Sequence, residues 1–207
     1  MKINKKLLVF ILASLLGNII IYPFIPGKIP HKNFQMVIDG YSDKWTLFLM
    51  PLTTVFMYFL LYFLGKLDKK NEMNKKTYEL ITIMTVLFFT ILNIWFIMYS
   101  FGLSFAVTRM LSILIGMFFV IMGNYFPRLK TNSIFGIRTP WTLKNDQVWK
   151  YTHRFGGYVL VASGFICFIG SLLNSITTIL TIFAVTLLCV LITALYSYIN
   201  YKKCVKE

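Results

Sequence analysis

Six long apolar stretches, residues 7–25, 46–65, 80–99, 107–126, 155–173 and 179–200, alternate with shorter polar passages along this 207-residue chain. Each comes close to the roughly 20 residues that a helix needs to cross a hydrocarbon layer about 30 Å thick. Lipid offers no partner to backbone N–H and C=O groups, so each stretch is expected as helix. The first opens MKINKKLLVFILASLLGN, with the basic start and apolar middle of a secretory signal. It lacks an A-x-A site and stays apolar through Ile25, which favours an uncleaved span. The expected fold class is an all-α polytopic membrane protein with six transmembrane helices.

Two polar passages are long enough to fold. Residues 26–45, PGKIPHKNFQMVIDGYSDKW, join the first two spans, and residues 132–157, NSIFGIRTPWTLKNDQVWKYTHRFGG, join the fourth and fifth. In the second passage Gly136 admits unusual backbone angles and Pro140 disfavours helix at Thr139, so FGIRTPW is expected to be extended or turned. A helix then starts with Thr142 or Asn145 as its cap, and Asp146 in its first turn suits the helix dipole. Val148, Trp149, Thr152 and Phe155 give it one apolar side, and it is expected to bend into the fifth span near Gly156 and Gly157. Trp141 and Trp149 are expected at headgroup level, with Arg138, Lys144, Lys150 and Arg154 facing water or phosphate. A loop needed only for topology requires charge alone, whereas this one carries turn and cap chemistry. It is expected to be a folded loop.

Composition agrees with lipid as the solvent, since the chain is 57% hydrophobic and 14% charged. A net charge of +14 could point to nucleic acid. Here the cations form short clusters between apolar runs rather than a stripe, so direct nucleic-acid binding is not expected. With the N-terminus inside, the cytoplasmic segments hold Lys2, Lys5 and Lys6, then Lys66, Lys69, Lys70, Lys75 and Lys76. They also hold Arg128, Lys130, Arg138, Lys144, Lys150 and Arg154, and finally Lys202, Lys203 and Lys206, which makes seventeen of the 21 Lys and Arg residues. Lys28, Lys32 and Lys44 fall outside, and Arg109 lies just within the fourth span. Both termini and the folded loop are thereby expected in the cytosol of the cell. Cys167 and Cys189 lie in apolar runs and Cys204 in the basic tail, so no disulfide framework is expected.

The run N-x-x-x-G-I-R-T-P-W-T-L-K-N-D-x-V-W-x-x-T-H-R-F-G-G, Asn132 to Gly157, resembles the signature of the SdpI family of bacterial membrane proteins. The outer segment PHKNFQMVIDGYSDK, Pro30 to Lys44, is similar to a small domain of unknown function that often precedes the SdpI module. The arrangement of spans and loops divides the chain into residues 1–65, a two-helix module with external loop 26–45; residues 66–106, a linker and third helix; and residues 107–207, an SdpI-like module with cytosolic loop 127–154. The resemblance bears on function as well. It implies immunity to a secreted membrane-active peptide toxin. It further implies a possible receptor role in which a cytosolic transcriptional repressor is held at the membrane. The expected partners are membrane lipids, the peptide toxin and that repressor. Arg138, Trp141, Trp149, His153 and Arg154 combine signature identity with side chains able to bind anionic or peptide groups, and form the candidate functional cluster. Gly136, Pro140, Gly156 and Gly157 are its structural members, and His31, Asp39 and Gly40 mark the outer loop.

Two other function classes carry weaker signals. A transporter or channel would use polar residues within spans, of which the candidates are Asn18, Asn93, Arg109, Ser112 and Asn124. Arg109 lies near the outer end of its span and can snorkel to the surface. An enzyme would need convergent catalytic groups, but the sequence has no paired carboxylates within a span, no GxSxG and no phosphate-cradling glycine loop. His31 and His153 are expected on opposite sides of the membrane, so no shared metal and no cofactor are expected.

Overall fold

A computed structural model describes residues 4–32, 38–67, 72–103, 107–132 and 135–206. It contains seven α-helices: α1 (Lys5–Ile21), α2 (Leu49–Leu67), α3 (Glu72–Ser100), α4 (Val107–Tyr125), α5 (Pro140–Lys144), α6 (Asp146–Gly170) and α7 (Ser175–Lys206). All but α5 belong to the six stretches long and apolar enough to span a bilayer. Exposed and buried residues are distributed as lipid demands. Val9, Leu16, Phe56, Phe183 and Leu187 point outward, whereas Asn18, Ser112, Thr178, Thr193 and Ser197 are buried. In hydrocarbon, Leu and Phe gain little by hiding, and helices associate through small and polar residues that allow close approach or hydrogen bonding.

The chain divides into two compact units, residues 1–67 with 78–106, and residues 68–77 with 107–207. In the first, Asn18 of α1 and Asn93 of α3 exchange side-chain amide bonds of 3.0 and 2.9 Å. The Asn18 amide also donates to the Leu47 carbonyl at 2.8 Å, and Asn93 donates to Ser14 Oγ at 3.3 Å. These bonds tie α1, α3 and the 3-10 turn before α2 together. Replacing Asn18 by alanine should lower stability by about 1–2 kcal/mol, read from unfolding in detergent. The comparison is Asn124→Ala, because among the described residues Asn124 bonds only to Val120 of its own helix. An equal shift at both positions would remove the interhelical account.

The polar passage after α1 is not a featureless loop. Residues Lys28–Lys32 (β1) and Ile38–Asp43 (β2) form an antiparallel ladder from Lys28↔Asp43 to Lys32↔Ile38, with an irregularity between His31 and Lys32. The Tyr99 hydroxyl donates to the Pro30 carbonyl at 2.6 Å, fastening the ladder to the end of α3. Ile25, Ile29, Leu47 and Tyr99 close a small core beneath it. The ladder adds two strands to an otherwise helical chain.

In the second unit α4 packs on α6, and α6 on α7. The α4–α6 contact has a glycine seam. A Cβ on Gly116 would lie 2.8 Å from the Gly164 carbonyl, and one on Gly164 would lie 2.6 Å from the Gly116 carbonyl. Gly123 and Gly157 repeat the relation at 2.7 and 2.6 Å. Positions 116 and 123, like 157 and 164, are two turns apart on one face of a helix. Beyond the Gly116 end of the seam, Ser112 Oγ donates to the Cys167 carbonyl at 2.7 Å.

The seam corrects the expected bend. Helix α6 runs without interruption from Asp146 through Gly156 and Gly157 to Gly170, so the helix capped by Asn145 and the fifth span are one continuous helix. Gly157 serves the approach of α4 to α6, and Gly156 faces the Ile137 side chain.

Candidate functional site

The passage from Phe126 to Asn145 folds onto the first turns of α6 through a few specific bonds. A 3-10 turn, Phe126–Arg128, ends α4 with Pro127 in its first positions. Trp149 Nε1 then donates to the Leu129 carbonyl at 2.8 Å. The Thr131 hydroxyl donates to Asp146 Oδ1 at 2.6 Å. Asn132 Oδ1 accepts the Phe135 N–H at 2.7 Å.

Beyond Phe135, His153 closes the loop. Its Nε2 accepts the Ile137 N–H at 3.0 Å, and its Nδ1 lies 2.9 Å from the Trp149 carbonyl. A carbonyl can only accept, so Nδ1 carries the proton and the ring is neutral. The imidazole is fully buried, stacked on the Trp149 indole at 3.9 Å and 20°, with Phe126 5.1 Å away. Gly136 has φ +106, and a Cβ there would fall onto His153 Nε2. Glycine is required there by both its backbone angle and its neighbour.

The next turn begins earlier than the sequence pattern suggested. Helix α5 starts at Pro140, with Thr139 as its cap and Thr142 completing a reciprocal capping box. Proline at the first helical position lacks an N–H that would be unpaired anyway, so Pro140 and Trp141 are helical rather than extended. The Thr142 hydroxyl also donates to the Ile137 carbonyl at 2.8 Å. Asn145 caps α6, accepting from Gln147 and Val148 N–H.

The five residues of the candidate cluster separate into an inner pair and an outer set. Trp149 is 2% exposed, covered by protein rather than presented to lipid or water. Its indole N–H is taken by the Leu129 carbonyl and its face by His153, so the ring is satisfied within the protein. His153 is a clasp between loop and helix and offers no free nitrogen. Trp141 is half-buried, donates Nε1 to Ser197 Oγ at 2.7 Å and packs beside Tyr198 and Tyr201 of α7. Arg138 and Arg154 are exposed; Arg154 lines a shallow recess with Tyr151, Tyr158 and Tyr196. Trp149 and His153 thus lie inside the fold, Trp141 rests against α7, and Arg138 and Arg154 are on the surface.

In the outer segment His31 pairs with Gly40 across the ladder, and Asp39 is exposed. The His31 side chain lies outside the described residues, as do residues 33–37 and 68–71. A Cβ added to Gly40 would meet no atom within 4 Å, and the backbone angle there is one that other residues adopt. The transport candidates Asn18, Asn93, Ser112 and Asn124 are engaged in the helix bonds described above, and Arg109 is exposed. Pattern reading missed the ties at Leu129, Thr131 and Ser197. Only T-P-W-T, with its proline just inside a threonine cap, was a local signal for the α5 start.

Six apolar helices with outward leucines, inward small residues and a loop clasped by a neutral histidine define a multi-pass membrane protein. Comparison with known proteins gives its family. A family model described as the SdpI/YfhL protein family matches residues 128–197, which span the clasped loop, α6 and most of α7. A second, described as Domain of unknown function (DUF1648), matches residues 9–55, which include β1 and β2. The chain is 31% identical over 208 residues to Immunity protein SdpI of Bacillus subtilis (strain 168), covering 98% of each protein. No solved structure matches. The chain belongs to the SdpI family.

Proposed function

We propose that this chain is a membrane immunity protein that protects a bacterium from a secreted, membrane-active peptide toxin and does so without catalysis. The observation that carries this reading is the 31% identity, over 98% of both chains, with a protein named for immunity. Both termini and the clasped loop lie in the cytoplasm, a reading supported by the seventeen cations that the alternating topology assigns to one side. The β1–β2 ladder then faces the exterior, where a peptide arrives first.

A receptor function goes further. Toxin contact at the external face or along lipid-facing helices would favour one packing of the second unit, altering how Arg138, Trp141 and Arg154 are presented to a cytosolic transcriptional repressor. Such signalling requires toxin to bind one packing more tightly than another. The short bonds that connect the loop to α6 and α7 would couple helix packing to that surface.

Expression of the chain in a sensitive bacterium should preserve viability under challenge with the cognate peptide. Equal killing with and without the chain would end the immunity reading. Arg138→Lys should weaken protection while leaving protein level unchanged, because a guanidinium can grip a carboxylate or phosphate with two parallel bonds and an ammonium cannot. Full protection by the lysine variant would reduce Arg138 to a topological charge. Failure of a fluorescent repressor to reach the membrane in the presence of toxin would remove the receptor function alone.

A further inference from the structure

Immediately below the clasp, a half-open recess of about 700 Å³ is lined by Arg128, Lys130, Thr131, Asp146, Trp149 and Lys150. Its cations come from two separate segments, the passage that leaves α4 and the first turns of α6. Those segments are pinned together on both sides of Lys130. On one side the Leu129 carbonyl accepts from the Trp149 indole, and on the other the Thr131 hydroxyl donates to Asp146. The single carboxylate in the wall is thus turned toward a threonine hydroxyl, while Lys130 and Lys150 line the same space with no ion pair between them and Asp146 among the described residues. Arg128, whose guanidinium lies over the Tyr125 ring at 5.2 Å, completes the rim.

Three cations and one carboxylate leave the recess with a net positive charge, which favours an anion within it. The recess begins where the apolar run of α4 gives way to Pro127 and Arg128, the depth at which a spanning helix meets the polar headgroups. We propose that the recess is a binding site for a phosphate group, with Lys130 and Lys150 as its principal contacts and Arg128 at its mouth. Phosphate chemistry could come from an anionic lipid headgroup or from a soluble phosphate, and the experiment separates them. This site does not depend on the immunity reading.

The full chain, purified in neutral detergent, is titrated with short-chain phosphatidylglycerol, short-chain phosphatidylcholine and inorganic phosphate, with binding followed by native mass spectrometry and calorimetry. Wild-type protein should prefer phosphatidylglycerol to phosphatidylcholine by about tenfold, and Lys130→Gln with Lys150→Gln should abolish that preference. Lys130→Arg with Lys150→Arg should retain it. The pair Lys144→Gln and Lys202→Gln removes the same charge outside the recess and should also retain it. Thermal unfolding of each variant checks that the fold persists. Binding of inorganic phosphate as tight as that of phosphatidylglycerol, lost in the same glutamine pair, keeps the site and assigns it to a soluble phosphate. Equal binding by wild-type and the recess pair, or equal loss in the control pair, overturns the proposal.

Discussion

Valine at position 164 should strongly destabilise the second unit by forcing α4 and α6 apart. Besides the Val120 side chain at 2.7 Å, the obstruction is backbone, since an added Cβ would meet the Gly116 carbonyl at 2.6 Å and the main chain of Val120 at 3.1 Å. Backbone cannot swing away as the end of a side chain can, so α4 and α6 would have to separate along their length. Separation also breaks the Ser112 bond to Cys167 and loosens the matching approach of Gly123 and Gly157. The expected loss is about 3 kcal/mol, the upper end for overpacking. Denaturant unfolding in detergent micelles, followed by tryptophan fluorescence, would measure it. Gly17→Ala is the comparison, because nothing lies within 4 Å of a Cβ there. A Gly164→Val protein with a wild-type midpoint would contradict the seam.

The second large effect is expected at Gly136. Alanine there must adopt φ +106 and also displace the His153 ring, which frees the Ile137 N–H and disturbs the stack on Trp149. Left-handed backbone costs about 1–2 kcal/mol for an L-residue, and the displaced clasp adds to it. A double-mutant cycle separates the two contributions. Measured in a His153→Ala background, Gly136→Ala should lose the collision and retain only the backbone part. An unchanged effect in that background would show that the imidazole does not oppose residue 136. If the immunity reading holds, Gly136→Ala should also abolish protection, since Arg138 is presented by the same clasp.

The structure separates what was legible in the signature from what was not. Gly136 as a turn, Asn145 as a cap and the buried side formed by Val148, Trp149 and Thr152 all follow from local preference, and each is present. Trp149 illustrates the limit. A tryptophan beside lysines near an apolar run reads as a membrane anchor, and only the position of the Leu129 carbonyl turns it inward. Gly157 reads as a flexible point, and only the approach of α4 turns it into a contact. Likewise Lys130 and Lys150 lie twenty residues apart and read as two topological charges until the loop returns to α6.

The sequence by itself determined that this is a six-span membrane protein, because the length of an apolar run is a property of neighbouring residues. It also determined the family, through an unbroken signature. Tertiary structure decided that His153 and Trp149 are a buried clasp, that the glycines form a seam and that three cations share one recess. Those outcomes depend on which carbonyl or side chain arrives from a distant part of the chain, and spacing along one helix carries no information about that.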